Sequence, residues 1–388
     1  MNKKEISEIK KLISKKDSQI VRFCGCYVDN EKNIRTTLKQ PFLALEEDEM
    51  FKYINIFRRS LSGTLGKNLL NLEFPREQEE EGGTQNFLMK LRDSKLSDDN
   101  LLQEFYEKVI ENYEFPENYY IILAYSAYDI PMVTTDGMEQ DDASVYVYDH
   151  IICTICPVKL EKSNLCYNAE TNMIEPNIRD WLVDMPAHGF LFPAFNDRNT
   201  DIHAMLYYTK KSEEPAPQFM DSMFGCTKPL TSKSQNTVFK QIIQDSLGEE
   251  CDFETVKSIH ENINELIEEQ KDLPEPVVLS HEDVKDIFTH SGISNEKLEV
   301  FDKNYEHALS EKGDVSVDDI QNTSFVATNI TNPRNLEIKT ADVVIKVSPD
   351  KSDLVKTKMI DGIPYLMIQV SEHIELNGVP VRPDMTKE

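Results

Sequence analysis

The chain reads as an α+β protein: an N-terminal α/β region with a mixed or antiparallel sheet, a helical middle region and a small C-terminal β region. Three observations predict this. Apolar runs of strand length, "YYIILAY" and "HIICTICPV", fall in the first half. Apolar residues recur every three or four positions between about 231 and 310, the period of a helix with one buried face. The tail is punctuated by Asp361-Gly362 and Asn377-Gly378, residue pairs that tolerate the positive φ a two-residue hairpin turn needs. A chain of 388 residues exceeds one ordinary core, so several parts are expected. "SEEPAPQ" at 212–218, with two prolines, marks the first boundary. The parts are then 1–212, 213–312 and 313–388.

Each element has a local reason. Ile6, Ile9, Leu12 and Ile13 give a first helix one apolar face on a lysine-rich background. "QIVRFCGCYVD" and "NIRTTLKQ" around "DNEKN" read as a β-hairpin. A helix follows at about 46–61. "LSGTLGKNLLNLEFP" is a connection closed by Pro75, and "REQEEEGG" a solvated acidic loop. Helices are expected near 84–95 and 98–113. "NYYIILAYSAYDIP" and "VYDHIICTICPVKLE" are strands flanking an acidic loop, "TTDGMEQDDAS". "HGFLFPAFND" is a further strand, and "IHAMLYYTKK" continues the sheet or forms a short helix. In the middle region Thr231, Asp252 and Ser280 are placed to N-cap successive helices, because their side-chain oxygens accept from free first-turn N–H groups. Another helix spans about 295–310. "LEIKTADVVIKVSPD" returns to strand alternation.

Charge and cysteine usage bound the function. The chain has 42 basic and 69 acidic residues, a net charge of −27. Such a body repels polyanions and anionic membranes at long range, so any nucleic-acid contact must be local. No apolar stretch approaches the roughly 20 residues a membrane-spanning helix needs. "MNKKEISEIKKLISKK" has no apolar core and is not a secretory signal. Seven cysteines, an odd number in a long chain, fit reduced thiols. The expected compartment is the cytoplasm, with no membrane partner. Residues 1–16 hold six lysines and two glutamates, and residues 222–244 hold Lys228, Lys233 and Lys240 with no acid.

Several stretches carry chemistry-bearing residues. "FNDRNTDIH" places Asp197, Arg198, Asp201 and His203 within seven positions. An acid–base site needs a base in reach of a substrate proton and a group that orients it. Asn and Asp after an apolar strand are equally natural turn formers, so a self-fastened loop competes with a hydrolase-like site. Cys153 and Cys156 form a CxxC, but inside an apparent strand rather than at a helix start, where the thiol would be activated. Cys24 and Cys26 are spaced too closely to complete a zinc site with them. "GTLGKN" lacks the spacing and hydroxyl of a phosphate-binding loop. Asp136, Glu139, Asp141 and Asp142 lack EF-hand spacing. No metal site or cofactor is expected. Gly82, Gly83, Thr84 and Gln85 resemble the Gly-Gly-Gln tip of release factors, with Thr84 inserted and acidic flanks where ribosomal RNA would demand cations. The acid-free window offers a helix start with free N–H groups and polar neighbours Lys228, Lys233, Gln235, Asn236 and Lys240, suited to phosphate contacts.

Two resemblances extend this reading. "FCGCYVD", "LSGTLGKNLLNLEFP", "EGGTQNFLMKLRDSKL", "FPAFNDRNTDIH" and "LYYTK" are similar to an uncharacterised family of Gram-positive anaerobes over the whole chain. Residues 118–272 and the tail, through "YDHIICTICPVKL", "FLFPAFNDR" and "FMDSMFGCTKPLTSKSQNTVFKQIIQ", resemble the 37-kDa nucleoid-associated protein family; residues 1–115 depart from it. That likeness implies a protein of the nucleoid, without catalysis, whose partner is DNA or a nucleoid protein. The leading expectation is therefore a non-enzymatic nucleoid-associated protein using the basic helix start at 228–240. A hydrolase-like enzyme using Asp197, Arg198, Asp201 and His203, and a ribosome-associated factor using the Gly82–Gln85 loop, are the alternatives. The oligomeric state stays open, a homo-oligomer among the options.

Overall fold

The computed structural model describes residues 1–14, 18–133, 139–211, 217–226, 230–248, 251–313, 320, 323–370, 374–376 and 379–381; of 132–133, 139–145, 217, 312–313 and 376 only the backbone is described. The fold is α+β, as the apolar periodicities predict. The chain forms two units, Met1–Lys233 and Ser234–Glu388, whereas the sequence reading drew its boundaries at 212 and 312.

The first unit opens with α1 (Lys3–Leu12), β1 (Ile20–Val28), β2 (Ile34–Pro41), α2 (Glu47–Ser60), β3 (Leu69–Glu73), α3 (Arg76–Glu79), α4 (Thr84–Asp93) and α5 (Asp99–Asn112). The long strands β4 (Asn118–Val133) and β5 (Glu139–Leu160) follow, then β6 (Leu165–Asn168), β7 (Met173–Pro176), β8 (Trp181–Val183), β9 (His188–Phe192), β10 (Ala194–Asn196), β11 (Asn199–Asp201), β12 (Ala204–Thr209) and α6 (Pro217–Phe224). An antiparallel sheet runs in the order β2-β1-β4-β5-β9-β12-β3, with β8 also paired to β5.

Helices cover both faces of this sheet, which is why β4 and β5 read as continuous apolar runs rather than alternating ones. Ile121, Leu123, Cys153 and Ile155 meet α4, α5 and α6 on one face, with Leu88, Phe105 and Phe224 fully buried. Ile122, Ala124, Ile152 and Cys156 meet α1 and α2 on the other, with Ile9, Phe23 and Phe57 fully buried. Strand alternation sends residues three apart to opposite faces, so Cys153 and Cys156 lie on opposite sides of the sheet. Burial pushes Cys156 up to about 12 and Cys153 well above a free thiol's range, and the CxxC is core packing. Gly25 in β1 lies beneath Tyr120: a Cβ there would fall 2.0 Å from the Tyr120 hydroxyl.

Three expectations are refined. "LLNLE", read as connection, is the edge strand β3 paired with β12. Of "TTDGMEQDDAS", residues 134–138 lie outside the described residues, as does Asp136; the backbone of 139–144 belongs to β5. "IHAMLYYTKK" is a strand.

The second unit holds most of α7 (Ser232–Leu247), then α8 (Phe253–Glu269), β13 (Val278–Leu279), α9 (His281–His290), α10 (Asn295–Gly313), β14 (Phe325–Val326) and α11 (Ala327–Ile330). Asp252 and Ser280 cap α8 and α9 as expected, accepting from Thr255 N and Asp283 N. Phe239 meets Phe288 and Phe325, and Phe301 meets Phe288 and Tyr305, at the centre of this core. The tail forms the hairpins β15 (Leu336–Lys339) with β16 (Val344–Val347), β17 (Val355–Ile360) with β18 (Ile363–Ile368), and β19 (Ile374–Leu376) with β20 (Val379–Val381). Asp361 and Gly362 make their turn with φ of 51° and 79°. Asn377 and Gly378 lie outside the described residues.

Candidate functional site

The Asp197 cluster is a turn. β10 and β11 pair Asn196 with Asn199, leaving Asp197 and Arg198 as the two turn residues, with φ of 51° and 53°. Both angles positive is the geometry that matches hairpin twist. The turn is fastened from outside and within. The Asp197 N–H donates to Glu5 Oε1 at 2.7 Å, Arg198 Nη2 meets Glu8 Oε1 at 3.0 Å, and the Tyr146 hydroxyl donates to the Arg198 carbonyl at 2.5 Å. Asp201 accepts from Asn196 Nδ2 and from the His203 N–H. The His203 ring points elsewhere, to Glu79 Oε1 at 2.5 Å. That contact raises its pKa. The four side chains therefore do not converge on one reacting atom.

The Gly82–Gln85 loop is the start of α4. Gln85 is buried and its Nε2 donates to the Ile202 carbonyl at 3.0 Å. Gly83 is required by space, because a Cβ would fall 2.3 Å from the Gln78 carbonyl oxygen. A ribosome-probing tip needs its glutamine amide outward; here that amide holds the backbone just before β12.

Of the 228–240 residues, Lys228 lies outside the described residues. Gln235 is buried, its Oε1 accepting from Val326 N and Asn329 Nδ2, and Asn236 Nδ2 donates to the Asn329 carbonyl. These two amides hold α7 to β14 and α11 and are not aimed at solvent. Lys233 and Lys240 are exposed on α7.

The first unit also has a concavity of about 540 Å³ lined by Lys10, Asn55, Arg58, Arg59, Ser62, Asp184, Met185 and Lys210. Four cations face one carboxylate there, against the sign of the whole chain. The wall is built by helix ends. Arg58 Nη1 donates to the carbonyls of Lys10 and Ile13 at 3.1 and 3.0 Å, satisfying the C-terminus of α1. Lys10 Nζ donates to Ser62 Oγ at 2.5 Å, and Ser62 Oγ to the Arg58 carbonyl at 2.5 Å. Burial, then Arg58 and Arg59, lower the Lys10 pKa. Cations crowded this way are relieved by an incoming anion. Asp184 is shared between Lys159 at 3.6 Å and Lys210 at 3.9 Å. Among the described residues the cavity is lined by no imidazole, and its one carboxylate lies beside two lysines.

The sequence reading did not assemble this site. The lysines of the first helix were noted, but positions 10, 58–62, 184–185 and 210 meet only through the sheet. The adjacent Arg58-Arg59 pair was the available signal.

The family described as Domain of unknown function (DUF4317) matches residues 1–379. No curated protein matches the chain.

Proposed function

The chain belongs to that family, and from this premise we propose a non-enzymatic binding protein that meets nucleic-acid phosphates through the concavity between α1, α2 and the ends of β8 and β12. The observation that carries this reading is the gathering of Lys10, Arg58, Arg59 and Lys210 around one shared carboxylate in a chain of net charge −27. A local cationic concavity on an acidic body gives close-range capture with little long-range attraction. The resemblance of residues 118–272 to a nucleoid-associated family favours DNA or a DNA-bound partner as the ligand, although Lys10, Arg58 and Arg59 lie in the part that departs from it.

Each phosphate neutralised releases counterions, so log K falls with log[salt] in proportion to the contacts made. Titration of labelled DNA across a salt series by fluorescence anisotropy should therefore give a steep negative slope. The double variant R59E/K210E, which leaves the α1-fastening Arg58 in place, should flatten that slope by about two units. Wild-type affinity and slope retained in this variant would move the seat away from the cavity. Loss on K233E/K240E instead would return it to α7.

A further inference from the structure

The chain segment that ends in the cavity wall at Asp184 and Met185 is apolar and exposed. Residues 165–185 expose Leu165, Tyr167, Ile174, Ile178, Trp181 and Met185, each by 43% or more. Trp181 is the chain's only tryptophan and is 54% exposed. Indole is normally buried against a core or spent at an interface.

Register fixes where Trp181 stands. Val158 pairs with Val183 and Leu160 with Trp181, and directly opposed residues share a sheet face. Cys156, two before Val158, packs on the α1 and α2 side. Alternation therefore puts Trp181 on the same side as the helices that carry Lys10, Arg58 and Arg59. From Val183 the chain continues straight into Asp184 and Met185, which form the cavity wall. An exposed ring and a cationic hollow are thus successive features of one face.

We propose that this face binds single-stranded nucleic acid, its phosphates in the Lys10–Arg59–Lys210 hollow and a base stacked on Trp181. The inference rests on the polyanion reading above and names its substrate class. A cationic groove beside aromatic rings is the arrangement that unpaired bases recognise, since every base has a face to stack. A duplex keeps its bases stacked inside, so it would use the cations and leave the indole uncovered. An anionic membrane fits less well. No Lys or Arg lies between Lys162 and Arg179, while Glu170 and Glu175 do, and interfacial segments are rich in cations.

The test uses the full chain, an oligothymidylate of about 16 nucleotides, the upper end of single-strand site sizes, a duplex of equal length, and phosphatidylserine vesicles. Tryptophan emission reads Trp181 alone in the wild-type chain, and anisotropy of the labelled nucleic acids reads affinity in every variant. The expected result is quenching by the single strand, tighter binding to it than to duplex, and a loss of about 5- to 150-fold in W181A. W181F, which keeps a stacking ring, should recover most of the affinity. Equal binding of duplex and single strand, with W181A unchanged, overturns this inference and leaves the polyanion reading standing. Binding of neither nucleic acid at low salt removes both. A blue shift produced only by vesicles assigns the face to lipid and overturns the proposal.

Discussion

At the scale of single residues, the imidazoles with the most displaced protonation are structural. Burial holds His150 and His188 down to about 4, against an ordinary value of about 6.5. His150 stacks on Tyr148, and His188 Nδ1 lies 2.9 Å from the Tyr207 hydroxyl. The folded pKa is depressed, so between these values the unfolded chain binds protons that the folded chain refuses. The stabilisation is complete above about pH 6.5 and is lost as pH falls toward 4, roughly 3 kcal/mol for each imidazole. H188N removes the titration while keeping a polar partner for Tyr207. From about pH 7 to about pH 4 the unfolding free energy of wild type should drop relative to H188N by roughly 3 kcal/mol, read from denaturant curves at each pH. A constant difference would show that His188 titrates normally. None of this was legible in the sequence. The composition of "FNDRNTDIH" drew attention to His203, the more exposed imidazole, because clustering in sequence is visible and burial is not.

At the scale of elements, legibility follows local chemistry. Capping residues, hairpin turns and helical periodicities marked α1, α2, α4, α5, α8 and α9 and the β1–β2 and β17–β18 hairpins, because each depends on neighbours in sequence. β3 escaped because "LLNLE" is short and becomes a strand only when β12 arrives beside it. Residues 161–187 gave no strand signal: β6, β7 and β8 are three or four residues long and mostly exposed. The "FNDRNTDIH" turn was legible as turn chemistry, but its anchor was not. Glu5 is buried and does two jobs, accepting from the Asn2 N–H to close the capping box of α1 and from the Asp197 N–H of the turn. E5A should therefore lose a cap and leave the Asp197 N–H without its acceptor together, about 1–3 kcal/mol in urea or thermal unfolding. E8Q keeps an acceptor for the Tyr128 hydroxyl and loses only the Arg198 charge pair, and should cost under about 1 kcal/mol. Equal losses in the two variants would mean that Glu5 does not link helix to turn.

For the whole molecule, one charge distribution sets two responses to salt of opposite sign. A net charge of −27 repels itself in the compact state, and that repulsion is screened as ionic strength rises. Pairs such as Lys257 with Glu254, Glu261 and Asp353 are already counted in that figure and leave the excess as it stands. Raising monovalent salt from about 0.05 M to about 0.3 M shortens the screening length from beyond 10 Å to below it, so the thermal midpoint should rise. Binding should move the other way. On the proposed reading, the Lys10–Arg58–Arg59–Lys210 hollow would exchange counterions for phosphates, and salt would compete for that exchange directly. R59E/K210E sharpens the contrast, because it deepens the global excess while removing the local cations: its midpoint should climb more steeply with salt, and its DNA affinity should respond less. A midpoint and an affinity that fell together with salt would mean that the same ion pairs hold the fold and the ligand, and that the cationic hollow is not a separate local feature of an acidic body.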